Sequence, residues 1–130
     1  MNQQPKLSQS VFAAKSMLRA KKSVACLPFK RAFYELIDSH AIDSNELCQR
    51  IDRQRLAFET FRANRAEDHF AWLIQIGVVR REVDGQGLTN RIRLTPMGRA
   101  VIKEMPTEVP RAGIRERIAE NLRRYFKFFI

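Results

Sequence analysis

Residues 78–102, VVRREVDGQGLTNRIRLTPMGRAVI, decide how this chain folds. Two short apolar-alternating runs, Val78-Val79-Arg80-Arg81-Glu82-Val83 and Asn90-Arg91-Ile92-Arg93-Leu94-Thr95, flank Asp84-Gly85-Gln86-Gly87. Asp and Gly tolerate the positive φ of a tight hairpin, so the spacing predicts a two-stranded ribbon. Pro96 suits the first turn of a helix, where its missing N–H has no partner to lose. Met97, Ala100, Val101 and Met105 follow at helical spacing. Alternate residues of a strand point to opposite faces. Ile92 and Leu94 therefore oppose Arg91 and Arg93, while Val79, Arg81 and Val83 oppose Arg80 and Glu82. The ribbon acquires an apolar back and an arginine-bearing front. Two strands alone are marginal in water, so the back needs helices beneath it. The front suits the sugar-phosphate backbone of nucleic acid, or plain solvation on a basic protein.

The composition narrows the classes. A chain of 130 residues fits one domain with a modest core. An apolar share of 45% excludes disorder throughout. Lys and Arg total 24 against 14 acids, a formal charge of +10, which favours polyanionic partners: nucleic acid first, an anionic membrane surface second. No apolar run approaches the about 20 residues that span a bilayer. The opening MNQQPKLSQS lacks the basic-then-apolar order of a signal peptide. Cys26 and Cys48 form no close-spaced pair and read as reduced thiols of a cytosolic protein.

In chain order, residues 1–7 read as a polar tail. Ser8 or Ser10 can cap a helix to about Lys22, with Val11, Ala14 and Leu18 on its packing face. Ala25-Cys26-Leu27-Pro28 breaks it. Residues 29–39 carry Phe29, Phe33, Leu36 and Ile37 on a core face. Asp43 caps the next helix, with Glu46 three residues on and Leu47, Cys48 and Ile51 turned inward. Residues 54–63 suggest a helical turn or two, flanked by Arg53, Arg55 and Arg62. Asn64 and Glu67 read as a second capping box, opening a helix to Ile76 that buries Phe70, Leu73 and Ile74 and exposes Arg65, Asp68, His69 and Trp72. Gly77 sits at its C-terminal cap.

This order resembles a winged-helix (winged helix-turn-helix) domain: helix, capped helix, a helix ending in Leu73-x-x-x-Gly77-Val78-Val79, strand, Gly-rich turn, strand. Its most specific piece is Leu94-Thr95-Pro96-Met97-Gly98-Arg99-Ala100, similar to the Leu-Thr-x-x-Gly-Arg/Lys that leaves the wing in transcription regulators of the MarR and PadR types. The resemblance covers about residues 29–103. It implies that residues 64–76 form the recognition helix and residues 84–90 the wing tip. Two departures stand out. Residues 54–63 exceed the usual short turn, and Glu67 and Asp68 place acids where phosphate would approach.

Residues 104–110, EMPTEVP, read as a linker, and residues 111–130 as a C-terminal helix. Its stripe of Ile114, Ile118, Leu122, Tyr125 and Phe129, with Phe126 beside it, is expected either to form a homodimer or to fold back on the core. No enzyme motif is present. His40 and His69 have no Cys or second His at ligand spacing, so no metal site is expected. Gly85-Gln86-Gly87 is a hairpin tip rather than a phosphate loop. No cofactor is expected.

The expectation is therefore a mainly α chain with a small β-hairpin (α+β), a winged-helix core at 29–103 with an added N-terminal element at 8–28 and an added C-terminal helix. The expected role is a cytoplasmic, nucleoid-associated, dimeric regulator of transcription that binds double-stranded DNA through Arg53, Arg55, Arg62, Asn64, Arg65, His69, Arg80, Arg81, Arg91 and Arg93. The rivals are a replication or partition factor and an adaptor for an acidic protein partner.

Overall fold

The computed structural model describes residues 4–105, with side chains from Ala14 onward. The elements run α1 (Gln4–Cys26), α2 (Arg31–Ser39), α3 (Ser44–Gln49), α4 (Arg53–Leu56), α5 (Ala63–Gln75), β1 (Val79–Asp84), β2 (Gly87–Leu94) and α6 (Pro96–Glu104). The fold is mainly helical with one antiparallel hairpin, the α+β class expected from the ribbon and its flanking periodicities. Glu104, expected to open the linker, instead ends α6, and Met105 is partly buried against the core. The rest of the expected linker and the expected C-terminal helix, with Ile114, Ile118, Leu122, Tyr125, Phe126 and Phe129, lie outside the described residues.

Aromatic rings fill the core. Phe29, Phe33, Tyr34 and Phe70 are all fully buried. Phe29 stacks on Phe33 with centroids 4.1 Å apart, and Phe33 lies 6.0 Å from Phe70. This ties α2 to α5 at the heart of the molecule. The Tyr34 phenol is sealed among these rings, and burial pushes its pKa well above the ordinary value.

Three helices differ from expectation in extent or facing. α1 starts inside the supposed tail and continues to Cys26, because Pro28 stops it only two residues later. Its buried apolar residues are Ala20 and Val24, with Met17 partly buried, at i, i+3 and i+7 from Met17, and Ser23 is buried beside them. Ala14 and Leu18, expected to pack, are exposed. α3 is capped as expected, with Asp43 accepting the Glu46 N–H at 2.8 Å. The backbone leaves the helix at Arg50, so Ile51 loses its helical phase and is fully exposed rather than inward.

The third is α5, which begins at Ala63 with Arg62 as its N-cap. The Asn64–Glu67 capping box does not form: Asn64 sits inside the first turn, and Glu67 turns to Arg81. Ala66, His69, Phe70, Leu73 and Ile76 make the buried stripe, and Trp72 is buried beside it. His69 and Trp72 were expected on the exposed side. His69 lies on the stripe because its ring packs edge-on against Phe29 and Phe61, each 5.7 Å away.

The hairpin pairs Val79 with Leu94, Arg80 with Arg93 and Arg81 with Ile92 at its base. The register then shifts, and Val83 pairs with Leu88 and Asp84 with Gly87. Three residues of β2 there face one of β1, a bulge. Thr89 fills it, donating its hydroxyl to the Glu82 carbonyl at 2.9 Å and accepting the Arg91 N–H at 3.3 Å. A bulge bends the strand and re-aims side chains, so Val83, expected on the apolar back, is 59% exposed. Ile92 also bridges Ile42, with N–H···O contacts of 3.3 and 2.8 Å, which brings the segment before α3 alongside β2.

The hairpin's root is locked. Thr95 caps α6 by accepting the Gly98 N–H at 2.9 Å, and its own N–H donates to the Val78 carbonyl at 3.0 Å. A Cβ on Gly98 would lie 2.2 Å from the Val78 oxygen and 2.7 Å from a Leu94 methyl. Gly77 ends α5 with φ of 86°, the left-handed conformation expected of it.

Candidate nucleic-acid interface

The segment between α3 and α5 is longer than a simple turn because it contains α4, and it is anchored on α2. Phe29 bridges Ala57, the Lys30 N–H donates to Leu56 at 2.8 Å, and the Phe58 N–H donates to Pro28 at 2.7 Å. The Lys30 ammonium donates to the Gln54 carbonyl at 2.9 Å and lies 5.3 Å from the centre of the Phe58 ring. Cys48 Sγ reaches the Phe61 carbonyl at 3.4 Å, and burial pushes its thiol pKa up. This connector is therefore a fixed platform that delivers Arg62 to the start of α5.

Arg55, Arg62 and Arg65 project from the platform and are exposed. No described carboxylate makes an ion-pair contact with any of the three, although the charge of Arg55 helps hold the nearby Asp52 carboxyl low. Arg53 donates to the Cys48 carbonyl at 3.0 Å and is otherwise exposed. Arg50 is bound to Asp52 by two contacts of 2.8 and 3.1 Å, which hold the Asp52 carboxyl below the usual carboxylate range. Ile51 stands fully exposed between these two residues.

The hairpin arginines behave differently. Arg81 lies on the core side of β1 and pairs with Glu67 of α5, while its other nitrogen donates to the Asn90 carbonyl at 2.8 Å. Arg91 pairs with Glu46 of α3 at 2.9 Å. Arg93 pairs with Glu82 across the strands at 2.9 Å and donates to the Ser39 carbonyl at 3.3 Å. Arg99 of α6 pairs with Asp38 of α2 at 2.7 Å. Arg80 is exposed and makes only a long contact, 3.3 Å, to the Arg81 carbonyl.

Of the ten residues expected to meet DNA, Arg53, Arg55, Arg62, Asn64 and Arg65 gather along the connector and the first turn of α5. Arg80, Arg81, Arg91 and Arg93 gather on the hairpin. His69 joins neither group: it is 3% exposed, and a ring packed in the core has no surface to offer a phosphate or a base.

The carboxylates that answer the hairpin arginines were missed as partners. Glu46 and Glu67 sit at capping-box spacing, which directs attention to their own helices, and no local pattern signals a contact 45 or 14 residues away. Asn45 and Asn90 were missed as well. They join Asn64 around a cleft of about 340 Å³ where α3, α5 and β2 meet.

Comparison with known families matches residues 10–124 to the family described as Npun_F0494-like. The chain belongs to that family. No curated protein and no solved structure matches it significantly. Among the described residues, no helix is long and apolar enough to cross a membrane, and no three His, Cys, Asp or Glu side chains gather as metal ligands would.

Proposed function

We propose that this member of the Npun_F0494-like family is a winged-helix protein that binds double-stranded DNA and acts as a dimeric regulator of transcription. The observation that carries the reading is the trio of exposed arginines around the start of α5, Arg55, Arg62 and Arg65, none of which makes an ion-pair contact with a described carboxylate. The frame behind them supports it. α2, α3 and α5 precede a hairpin whose second strand bridges the segment before α3, an order similar to that of a winged helix. A formal charge of +10 supplies the long-range attraction.

In this reading the start of α5 enters the major groove, and Arg55, Arg62 and Arg65 neutralise phosphates at its edge. Arg80 extends the contact from the hairpin. Arg81, Arg91 and Arg93 first hold the hairpin to its neighbours and reach phosphate only by releasing their acids. The C-terminal stripe from Ile114 to Phe129 is assigned to the dimer contact, which matches a twofold site on the duplex.

The test is a salt titration of binding to random duplex and to duplex from the chain's own genomic neighbourhood. Each phosphate neutralised contributes about 0.9 to the slope of log affinity against log salt. A steep slope with preference for one neighbouring fragment supports the regulator. A steep slope without preference transfers the reading to a replication, partition or architectural factor.

A second reading, an adaptor for an acidic protein partner, draws on Ile51. A fully exposed isoleucine in an arginine-rich stretch, with Arg50, Arg53 and Arg55 close by in sequence, is a contact protein partners use and phosphates do not. Absence of duplex binding near physiological salt, together with capture of an acidic protein that Ile51→Ser abolishes, would select it.

A further inference from the structure

The cleft between α3, α5 and β2 offers a chemistry that the arginines do not. Asn45, Asn64 and Asn90 reach its wall from three different elements, and all three are exposed. Two carboxylates line it as well, and each is engaged within the chain: Asp43 caps α3 and Glu67 holds Arg81. No Lys or Arg lines it. Arg81 and Arg91, the cations tied to its walls, are committed to Glu67 and Glu46. Besides Ser44 and the engaged Asp43 and Glu67 carboxylates, a visiting group meets carboxamides, neutral groups with a donor and an acceptor side by side. Asn64 Oδ1 accepts the Arg65 N–H at 2.9 Å, which leaves its Nδ2 and a second lone pair available. Next to it the methyl of Ala63 gives the cleft an apolar spot.

These groups match one kind of base pair. In the major groove an arginine fork reads guanine, a carboxamide reads adenine through N7 and the N6 amine, and a small apolar group meets the thymine methyl. The cleft presents the second and third of these and withholds the first. We infer that it reads an A·T pair in duplex DNA, with Asn64 on the adenine edge, Asn45 and Asn90 flanking it, and Ala63 against the thymine methyl. The inference rests on the DNA-binding reading above: the connector arginines supply affinity, and the cleft supplies base choice.

The experiment uses the full chain and two duplexes of equal length, one with an A·T core and one with a G·C core, compared by fluorescence anisotropy at one salt concentration and again across a salt series. The A·T duplex is expected to bind about tenfold more tightly, the effect of one good bidentate base contact. Asn64→Ala is expected to lower affinity for the A·T duplex about tenfold and so remove the preference, while the salt slope, which counts phosphates, stays unchanged. With the unaltered protein, 7-deazaadenine in the A·T core removes the N7 acceptor and is expected to weaken binding severalfold. Equal binding of both duplexes by the unaltered protein overturns the inference while salt-dependent binding keeps the DNA reading standing. An A·T preference that survives both Asn64→Ala and 7-deazaadenine comes from duplex shape and also overturns it. No salt-dependent binding to any duplex ends both readings.

Discussion

The hairpin and the α4–α5 connector are both rich in arginine, and they use it in opposite ways. On the hairpin, Arg81, Arg91 and Arg93 each meet a carboxylate of the same chain. On the connector, Arg62 and Arg65 make no ion-pair contact with a described carboxylate, and Arg55 feels Asp52 only at longer range. A guanidinium held by an acid must give that acid up before it gains a phosphate, so its net contribution is a difference between two similar terms. An unheld one contributes the whole of its counterion release. Counting arginines therefore ranks the hairpin first as a polyanion surface, while asking which of them are already engaged ranks the connector first.

The sharpest way to break this contrast is at the hairpin's root. If the hairpin is framework, Gly98→Ala should lower stability by about 3 kcal/mol, because the added methyl collides with the Val78 carbonyl and Leu94. For a chain of this size that is a fall of roughly 11 °C in melting temperature, read by circular dichroism. A melting curve within a degree or two of the unaltered protein would show that the root is not locked.

Next in size is the connector. Replacing Arg55, Arg62 and Arg65 together with Ala should lower the salt slope by about 2.7 and duplex affinity at 0.1 M salt by roughly a hundredfold, at three phosphates lost. Melting should barely move, since none of the three packs in the core. Arg91→Ala with Arg93→Ala should do much less to binding, below about threefold. It should cost up to about 1 kcal/mol of stability, the usual range for partly exposed ion pairs. If the hairpin pair weakens binding more than the connector trio, the contrast is reversed. The smallest effect sharpens it further: Glu46→Gln frees Arg91, so affinity should rise about twofold and the salt slope should steepen by up to about 0.9.

What was legible in advance depended on chemistry within a few residues. The Gly-rich turn at residues 84–87, with its positive φ at Gly87 rather than at Asp84 or Gly85, the Thr95-Pro96 helix start, the Asp43 cap and the positive φ at Gly77 all follow from local hydrogen bonding and backbone sterics, and all are present. Facing was harder. His69 reads as polar, yet its ring serves as one more aromatic wall beside Phe29 and Phe61. Ile51 reads as core by spacing alone, but spacing carries no meaning once the helix has ended at Arg50. The α1 face was misplaced because small residues recur on several of its sides, and burial of Ala20 and Val24 is set by what packs there.

The candidate site divided along the same line. The Arg-rich connector and Asn64 were visible as residue types. The pairs of Arg81 with Glu67 and of Arg91 with Glu46 were not, because each joins elements brought together only by the fold. The bulge at Thr89 was invisible for a related reason: a threonine in a strand is ordinary, and only its hydroxyl bond to Glu82 shows that the register has slipped.

That slip separates the hairpin into two mechanically distinct parts. Below it, Val79, Ile92 and Leu94 are fused to the core. Above it, Val83 and Leu88 face each other in solvent, attached to the body only through the strands themselves. Exposed tips of this kind tolerate insertion, since no buried backbone is disturbed. A peptide tag or a fluorophore-bearing cysteine placed between Gly85 and Gln86 should leave the melting curve of the chain intact, which makes the tip a convenient handle for reporting on whatever the protein grips.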